Sequence, residues 1–406
     1  MNKRKFILFL FVFITIFSTQ FFQNLYWKQI TGGFDIYYYA IYPIIVILAW
    51  PKMVRIGNNT LYSSVVKAIF GVSYLCIITI FLRGGSISVE MEIPPMLFSM
   101  TILTYFLLVD YRVRSKSLLK CITSIGLFIL LIQIIQQLFP TSAVFGINNP
   151  DKVPSYSDVA DIRNNLYRFL LQTYQLSLVC MFYWWNKFLN NKTPISLFLF
   201  ICFAVSVYLY LTRQIIFSSI IVLFLTPFLA KTSNKSVKLI TFFIVVVFTL
   251  IAPTLLGELI DMTKDGGDSS DNRLLSYVFF GKKILATPSS FFFGNGTPPE
   301  SDYWHELELN ASDIGVVGEI YHKGIFVLVV YMIIIYKLLI KNKDKTPLYV
   351  RLYVICTFIN SIMIFPYLQG FEYFLWAILL YLSEDSQLYK ADAPTFKRQY
   401  SLTNLK

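Results

Sequence analysis

Residues 194–230 read PISLFLFICFAVSVYLYLTRQIIFSSIIVLFLTPFLA and hold a single charge, Arg213. A helix crosses a bilayer core with roughly 20 apolar residues. The block is too long for one crossing and fits two, meeting at Leu211-Thr212-Arg213-Gln214. A permanent cation at that joint has no acidic residue nearby in sequence to pair with it. The reading of this hairpin sets the class of the protein and poses its main chemical question.

The same character extends outward through the chain. Of 406 residues 56% are hydrophobic and 14% charged, mean hydropathy is +0.60, and there are 38 Phe and 27 Tyr. Soluble domains carry about 25% charged residues. The sequence therefore predicts an all-α polytopic membrane protein, one integral domain over 1–406. It has about twelve transmembrane helices, near 6–22, 36–51, 62–82, 93–109, 118–138, 169–186, 194–211, 214–230, 237–256, 324–340, 348–365 and 367–383. The basic start followed by FILFLFVFITIF is read as the first of these and not as a signal peptide, because no small-x-small cleavage site follows.

A net charge of +12 invites a nucleic-acid reading, but the distribution speaks against one. With the N-terminus inside, most Lys and Arg fall on the cytoplasmic side. They include Lys3-Arg4-Lys5, Lys52, Arg55, Arg112, Arg114, Lys116, Lys187, Lys192, Lys231, Lys235, Lys238, the Lys337 to Lys345 cluster and the C-terminal tail. This is the bias of membrane topology, and it places both termini on the cytoplasmic side. Lys67 is the exception inside a span. The five cysteines lie in or beside spans and form no CxxC pair or disulfide framework.

Two long connections share the outer face: a smaller one over 140–168 and a larger one over 257–323, before the tenth span. In the smaller, Ser155-Tyr156-Ser157-Asp158 ahead of VADIRNNLYRFL gives a helix-start signal and brings Arg163 and Arg168 towards the membrane surface. The larger contains RLLSYVFFGKKILATP, an amphipathic segment suited to lie in the interface, then FFFGNGTPP, a tight turn, then SDYWHELELNASDIGVVGEIYHKG.

Arg213, on the outer side, runs against the positive-inside bias. Two readings compete: an interfacial Arg whose head snorkels to water, and an anion site at the mouth of a membrane cavity. Arg163, Arg168, Arg213 and Arg273 could converge on one anionic ligand, since guanidinium groups bind phosphate oxygens bidentately and stay charged. The acidic candidates are Glu300, Asp302, Glu306, Glu308, Asp313 and Glu319. The only two histidines, His305 and His322, lie in the same loop. A metal site is not expected: His305-Glu306-Leu307-Glu308-Leu309 fails the HExxH pattern, and Glu319-x-x-His322 has no second such pair. No GxxxxGK[ST] loop is present, which excludes a P-loop nucleotidase. A single helix from Asp313 to Leu339 would turn Asp313 and His322 to opposite sides while Glu319 and His322 share a face.

With these segments in place, the arrangement resembles the Wzy-type O-antigen and capsular polysaccharide polymerases and their relatives, the O-antigen ligases. Three stretches carry the resemblance. LTRQIIFSSIIVLFL is similar to the family's Ser/Thr-Arg turn between two spans. SSDNRLLSYVFFGKKILATPSSFFFGNG is similar to its Arg-containing outer segment ending in a Gly-x-Gly turn. SDIGVVGEIYHKGIFVLVVYMI matches the segment that places an acidic or polar residue shortly before a span.

The resemblance implies a glycosyltransferase without metal or cofactor in the bacterial cytoplasmic membrane. It would act on undecaprenyl-diphosphate-linked oligosaccharide repeat units, alongside a flippase and a chain-length regulator of the same pathway. Arg213 and Arg273 match the family's diphosphate-gripping arginines. Asp313 stands where many ligase-like relatives open the third motif with His. It is read either as the base for the acceptor hydroxyl or as an N-cap of the following helix, with His305 a displaced base. Arg163, Arg168, His305, Glu319 and His322 are expected to contact substrate, Glu319 and His322 more as structural or orienting groups. A ligase-type transferase differs only in acceptor. A flippase or secondary transporter is the alternative of another class, although such folds usually show two related halves and none is visible here.

Overall fold

The computed structural model describes residues 3–18, 35–82, 97–139, 145, 160–163, 166–169, 173–230, 267–296, 309, 311–361 and 371–391. Within these the chain is almost wholly helical. Helices α1 (Lys3–Ser18), α2 (Asp35–Ile56) and α3 (Ser63–Leu82) come first, followed by a 3-10 turn (Met100–Leu103) running into α4 (Thr104–Tyr111), and then α5 (Ser115–Leu138). Next are α6 (Tyr174–Asn191), α7 (Pro194–Leu209), α8 (Arg213–Leu229), α9 (Gly267–Leu285) and α10 (Pro288–Phe293). A second 3-10 turn (Ala311–Ile314) leads into α11 (Gly315–Lys323) and α12 (Ile325–Ile335), which continues as one π-helical stretch (Tyr336–Lys341). Helices α13 (Leu348–Asn360) and α14 (Phe371–Ala391) close the described chain.

Each apolar segment marked in the sequence coincides with a helix except the ninth, 237–256, which lies outside the described residues. By length and apolarity alone one of these helices, Ser115–Leu138, suffices to cross a membrane, and several apolar helices are shorter, Pro194–Leu209 and Gln214–Leu229 among them.

One sequence expectation is corrected. The described residues within 160–169 form no helix. Ala160–Arg163 (β1) and Leu166–Phe169 (β2) pair antiparallel, with Asp161 opposite Arg168 and Arg163 opposite Leu166. The sequence between the strands is Asn164-Asn165, residues that favour two-residue hairpin turns and disfavour helix. The following helix accordingly starts at Tyr174 and not at 169.

The bundle is built around α14. From Phe371 to Glu384 every residue is buried, as expected of a helix that is apolar around its whole circumference. Phe374 packs on Phe11 of α1 (ring centroids 5.1 Å), and Trp376 packs edge-on against Tyr353 of α13 (6.0 Å). Tyr373 shares a hydroxyl contact with Ser73 of α3 (3.1 Å), and the Tyr381 hydroxyl donates to the Val113 carbonyl beyond α4. Polar side chains inside the bundle are bonded to each other: Ser177 to Ser206 (2.9 Å), Ser206 to Gln133 (2.7 Å) and Trp184 Nε1 to Thr123 (3.2 Å).

The outside is apolar. Ile47 and Val54 on α2, Leu131 and Leu138 on α5, Ile195 and Phe198 on α7, and Phe228 on α8 are all exposed. The usual distribution of a soluble fold, in which large apolar patches are covered, is inverted on these helices.

The two ends of the bundle collect different connections. At one end Glu384 accepts from the Leu61 amide (3.0 Å) and the Tyr105 hydroxyl (3.1 Å). Lys337, from the π-helical stretch, donates to the Leu61 carbonyl (3.3 Å) and Ser64 (3.0 Å). Lys67 reaches back along α3 to the Gly57 carbonyl (2.8 Å), which explains a cation inside an apolar segment. The Arg213 turn, the start of α6, the end of α13 and the start of α11 gather at the other end.

Candidate functional site

The loop between α7 and α8 is a tight reversal. Leu211 has φ +50°, is fully buried, and donates its amide to Tyr208 (2.8 Å). A left-handed conformation costs a branched residue energy and persists only where packing enforces it. The result sets Thr212 at the N-cap position and Arg213 at the first helical position of α8. The Thr212 side chain does not cap the helix; its hydroxyl turns back to the Tyr210 carbonyl (3.3 Å). First-turn amides and the positive helix end therefore stand at the same turn as a guanidinium-bearing residue, a setting that favours an anion.

Two hydrogen bonds join this turn to the third sequence motif. Gln214 Nε2 donates to the Asn360 carbonyl (2.9 Å), and the Val316 amide donates to the carbonyl of the next residue, Ser361 (3.0 Å). The end of α13 thus binds the residue after Arg213 and a residue three positions past Asp313. Asp313 lies in the 3-10 turn Ala311–Ile314, and the N-cap position of α11 falls on Ile314. A Cβ at Gly318 would overlap the Ala311 carbonyl, so glycine there lets the turn fold down onto α11.

The second motif packs on the same unit. Helix α9 buries Phe280 and Ile284 against Ile314 and Tyr321, with the Phe280 and Tyr321 rings 4.7 Å apart. Arg273 stands exposed on α9 beside exposed Leu274 and Leu275. Tyr277 follows one turn later; burial pushes its phenol up, and the Arg273 guanidinium opposes that rise. The Gly294-Asn295-Gly296 turn is clamped to the end of α11: Asn295 N donates to Tyr321 O (2.6 Å) and Gly296 N to His322 O (3.1 Å). Gly294 and Gly324 both have positive φ, and a Cβ on either would overlap the facing backbone. This close approach is why the Gly-x-Gly pattern recurs against a glycine that ends α11.

His322 does not face open space, since its Nδ1 lies 3.1 Å from the Gly296 carbonyl and orients the clamped turn. Asp313 to Leu339 is not one helix, since the chain breaks at Gly324 (φ +79°), where the sequence places the end of the loop and the start of the span, so the opposite-sides condition for Asp313 and His322 is not met. Glu319 is buried and pairs with Lys323 (3.0 Å) one turn on. Arg163 and Arg168 belong to the β-hairpin, which is tied to α5 through Gln137 (Tyr167 N to Gln137 Oε1, 3.0 Å). His305 lies outside the described residues.

Sequence reasoning missed the partners of Glu319. Lys323 lies over the Tyr373 ring (5.8 Å), and the neighbouring Glu372 is buried on α14 and accepts from Gln175 Nε2 on α6. Glu319, Lys323 and Glu372 therefore lie inside the bundle beneath the Arg213 end, Lys323 paired with Glu319 and Glu372 bonded to Gln175. The available signal was the lone acid in the apolar run FEYFLWAILLYL: ionisable groups in such runs mark function or a built partner.

No protein-family model matches the chain, and neither a curated protein nor a solved structure does.

Proposed function

We propose that this chain is a multi-pass membrane glycosyltransferase that polymerises undecaprenyl-diphosphate-linked oligosaccharide repeat units at the outer face of a bacterial cytoplasmic membrane. The membrane part of this reading is supported by the exposed apolar side chains on successive helices and by the sorting of connections. Turns expected inside (57–61, 112–114, 342–347) meet around Glu384, and among the described residues of connections expected outside, Gln214 and Val316 are joined through the end of α13. A bundle with hydrogen-bonded polar side chains inside and apolar ones outside suits lipid as solvent.

One observation carries the enzymatic reading. The Arg213 turn and the Asp313 turn are hydrogen-bonded to adjacent carbonyls, Asn360 and Ser361, while the helix bearing Arg273 packs on the same turn. In the reaction, an acceptor hydroxyl of the incoming unit attacks the anomeric carbon of the growing chain. The bond from that carbon to the diphosphate oxygen breaks, and undecaprenyl diphosphate leaves with the electron pair. Arg213 and Arg273 neutralise charge developing on the diphosphate, the largest kind of single catalytic contribution. Asp313 takes the hydroxyl proton. Glu319 and His322 hold α11 and the Gly294–Gly296 turn in register, and Arg163, Arg168 and His305 are assigned to substrate contact on the sequence pattern alone. A second reading, a secondary transporter of lipid-linked units, is favoured by the buried Glu319, Lys323 and Glu372 group, because interior ionisable clusters serve transport pathways.

In a strain lacking the chain, complementation with Arg213→Ala, Arg273→Ala or Asp313→Ala is expected to restore membrane insertion but leave single repeat units on the surface. Lipid-linked units accumulating on the cytoplasmic face of the null strain would replace the polymerase reading with the transporter one.

A further inference from the structure

The end of the bundle opposite Arg213 contains a cavity of about 210 Å³ between the end of α6, the end of α8 and the turn leading into α13. Asn186 and Asn190 form one wall, Leu189, Ala230 and Leu348 supply apolar surface, and Lys343 and Arg351 supply charge. Asp344, also at the rim, offsets one of the two cations. The Arg351 guanidinium is already oriented, since its Nη2 donates to the Leu229 carbonyl (3.2 Å). Its Nε is buried and has no hydrogen-bond partner among the described residues. An oriented guanidinium lining the cavity beside an exposed lysine is a receptor for phosphate-type oxygens.

The surface leading to this cavity is apolar. On α8, Phe217, Ile221, Phe224 and Phe228 recur at helical spacing on one face and are 41%, 46%, 45% and 78% exposed. The stripe ends two residues before Ala230, which lines the cavity. The volume is below the roughly 300–1,000 Å³ of pockets that enclose a drug-sized molecule. A cavity of this size takes a headgroup phosphate. Basic pockets between transmembrane helices on the cytoplasmic side are characteristic binders of anionic headgroups.

We propose that this cavity holds the phosphate headgroup of an anionic glycerophospholipid, with an acyl chain lying along the Phe217 to Phe228 face of α8. Bound there, the lipid ties together α6, α8 and α13, the last being the helix whose far end carries Asn360 and Ser361. A ligand that binds only the folded state raises its melting temperature by mass action. The proposal rests on the chain lying in a membrane and is independent of the transfer reaction.

The test uses the full chain in detergent, titrated with phosphatidylglycerol, phosphatidylcholine or inorganic phosphate, with the melting temperature and native mass spectrometry as readouts. Phosphatidylglycerol is expected to raise the melting temperature and remain bound, and phosphatidylcholine and inorganic phosphate are not. Arg351→Gln and Lys343→Gln should each weaken phosphatidylglycerol binding by about tenfold or more. Lys343→Gln and the exposed Phe228→Ser keep the test open if the Arg351 variant fails to fold, and both should weaken the lipid. Equal effects of phosphatidylcholine, an equal shift from inorganic phosphate, or unchanged phosphatidylglycerol affinity in Lys343→Gln and Phe228→Ser would each overturn the lipid site. Recovery of the chain in the soluble fraction without detergent overturns the membrane reading as well. A detergent-dependent chain with no phosphatidylglycerol preference overturns the lipid site alone.

Discussion

The Glu384 end and the Arg213 end of the bundle treat charge in different ways. At the first, charged groups are answered by the chain itself: Asp110 pairs with Lys52 (3.3 Å) and Arg55, Glu384 receives a backbone amide and a phenol, and Lys337 reaches a carbonyl and a hydroxyl. At the second, backbone bonds and glycine contacts fix the turns, while Arg273 stands exposed on the helix packed against them. Charge that is satisfied internally contributes to holding helices together. Charge presented on a turn whose backbone is fixed by other bonds is left to act on a ligand. The Glu319, Lys323 and Glu372 group falls between these cases, at the Arg213 end but satisfied internally.

That contrast can be broken by substitutions ordered by their effect on stability. Lys323→Met removes the ammonium paired with Glu319 and leaves that buried carboxylate without it, so it should cost ~3–5 kcal/mol, read as loss of the monodisperse peak after mild heating in detergent; Lys323→Arg should recover most of it. Glu384→Ala strands the Leu61 amide and leaves the Tyr105 hydroxyl with Thr60 alone, and should cost about 1–3 kcal/mol, with Glu384→Gln retaining part of the bonding. Gly318→Ala forces its Cβ into the Ala311 carbonyl and should cost about 1–3 kcal/mol while displacing the Asp313 turn, seen as altered protease cleavage in the segment before α11. Arg273→Ala, at an exposed position, should change stability by less than about 0.5 kcal/mol in the same heating assay. If Arg273→Ala destabilises as strongly as Glu384→Ala, the two ends do not differ and the contrast fails.

Much of this was legible from sequence because it depended on local signals. Apolar segments separated by turns gave the helices, the Thr-Arg joint gave the reversal at Leu211, and FFFGNG gave a turn that the structure places against Gly324. The misread elements depended on partners far along the chain. Glu372 has meaning only beside Gln175 and Lys323, residues on two other helices. The β-hairpin carrying Arg163 and Arg168 was hidden by a helix-start signal stronger than its Asn-Asn turn. The start of an apolar run at Gly324 was legible, but the reason for glycine there, the Phe292 and Phe293 backbone packed against it, depends on a segment far back in the chain.

The central claim is that Arg213 serves the diphosphate of a lipid-linked glycan and not the fold. Purified chain reconstituted in liposomes with undecaprenyl-diphosphate-linked repeat units should produce a ladder of extended products. Arg213→Ala should leave the units unextended, with a rate loss on the order of 10²–10³, at an unchanged melting temperature. An undiminished ladder from Arg213→Ala would contradict the account.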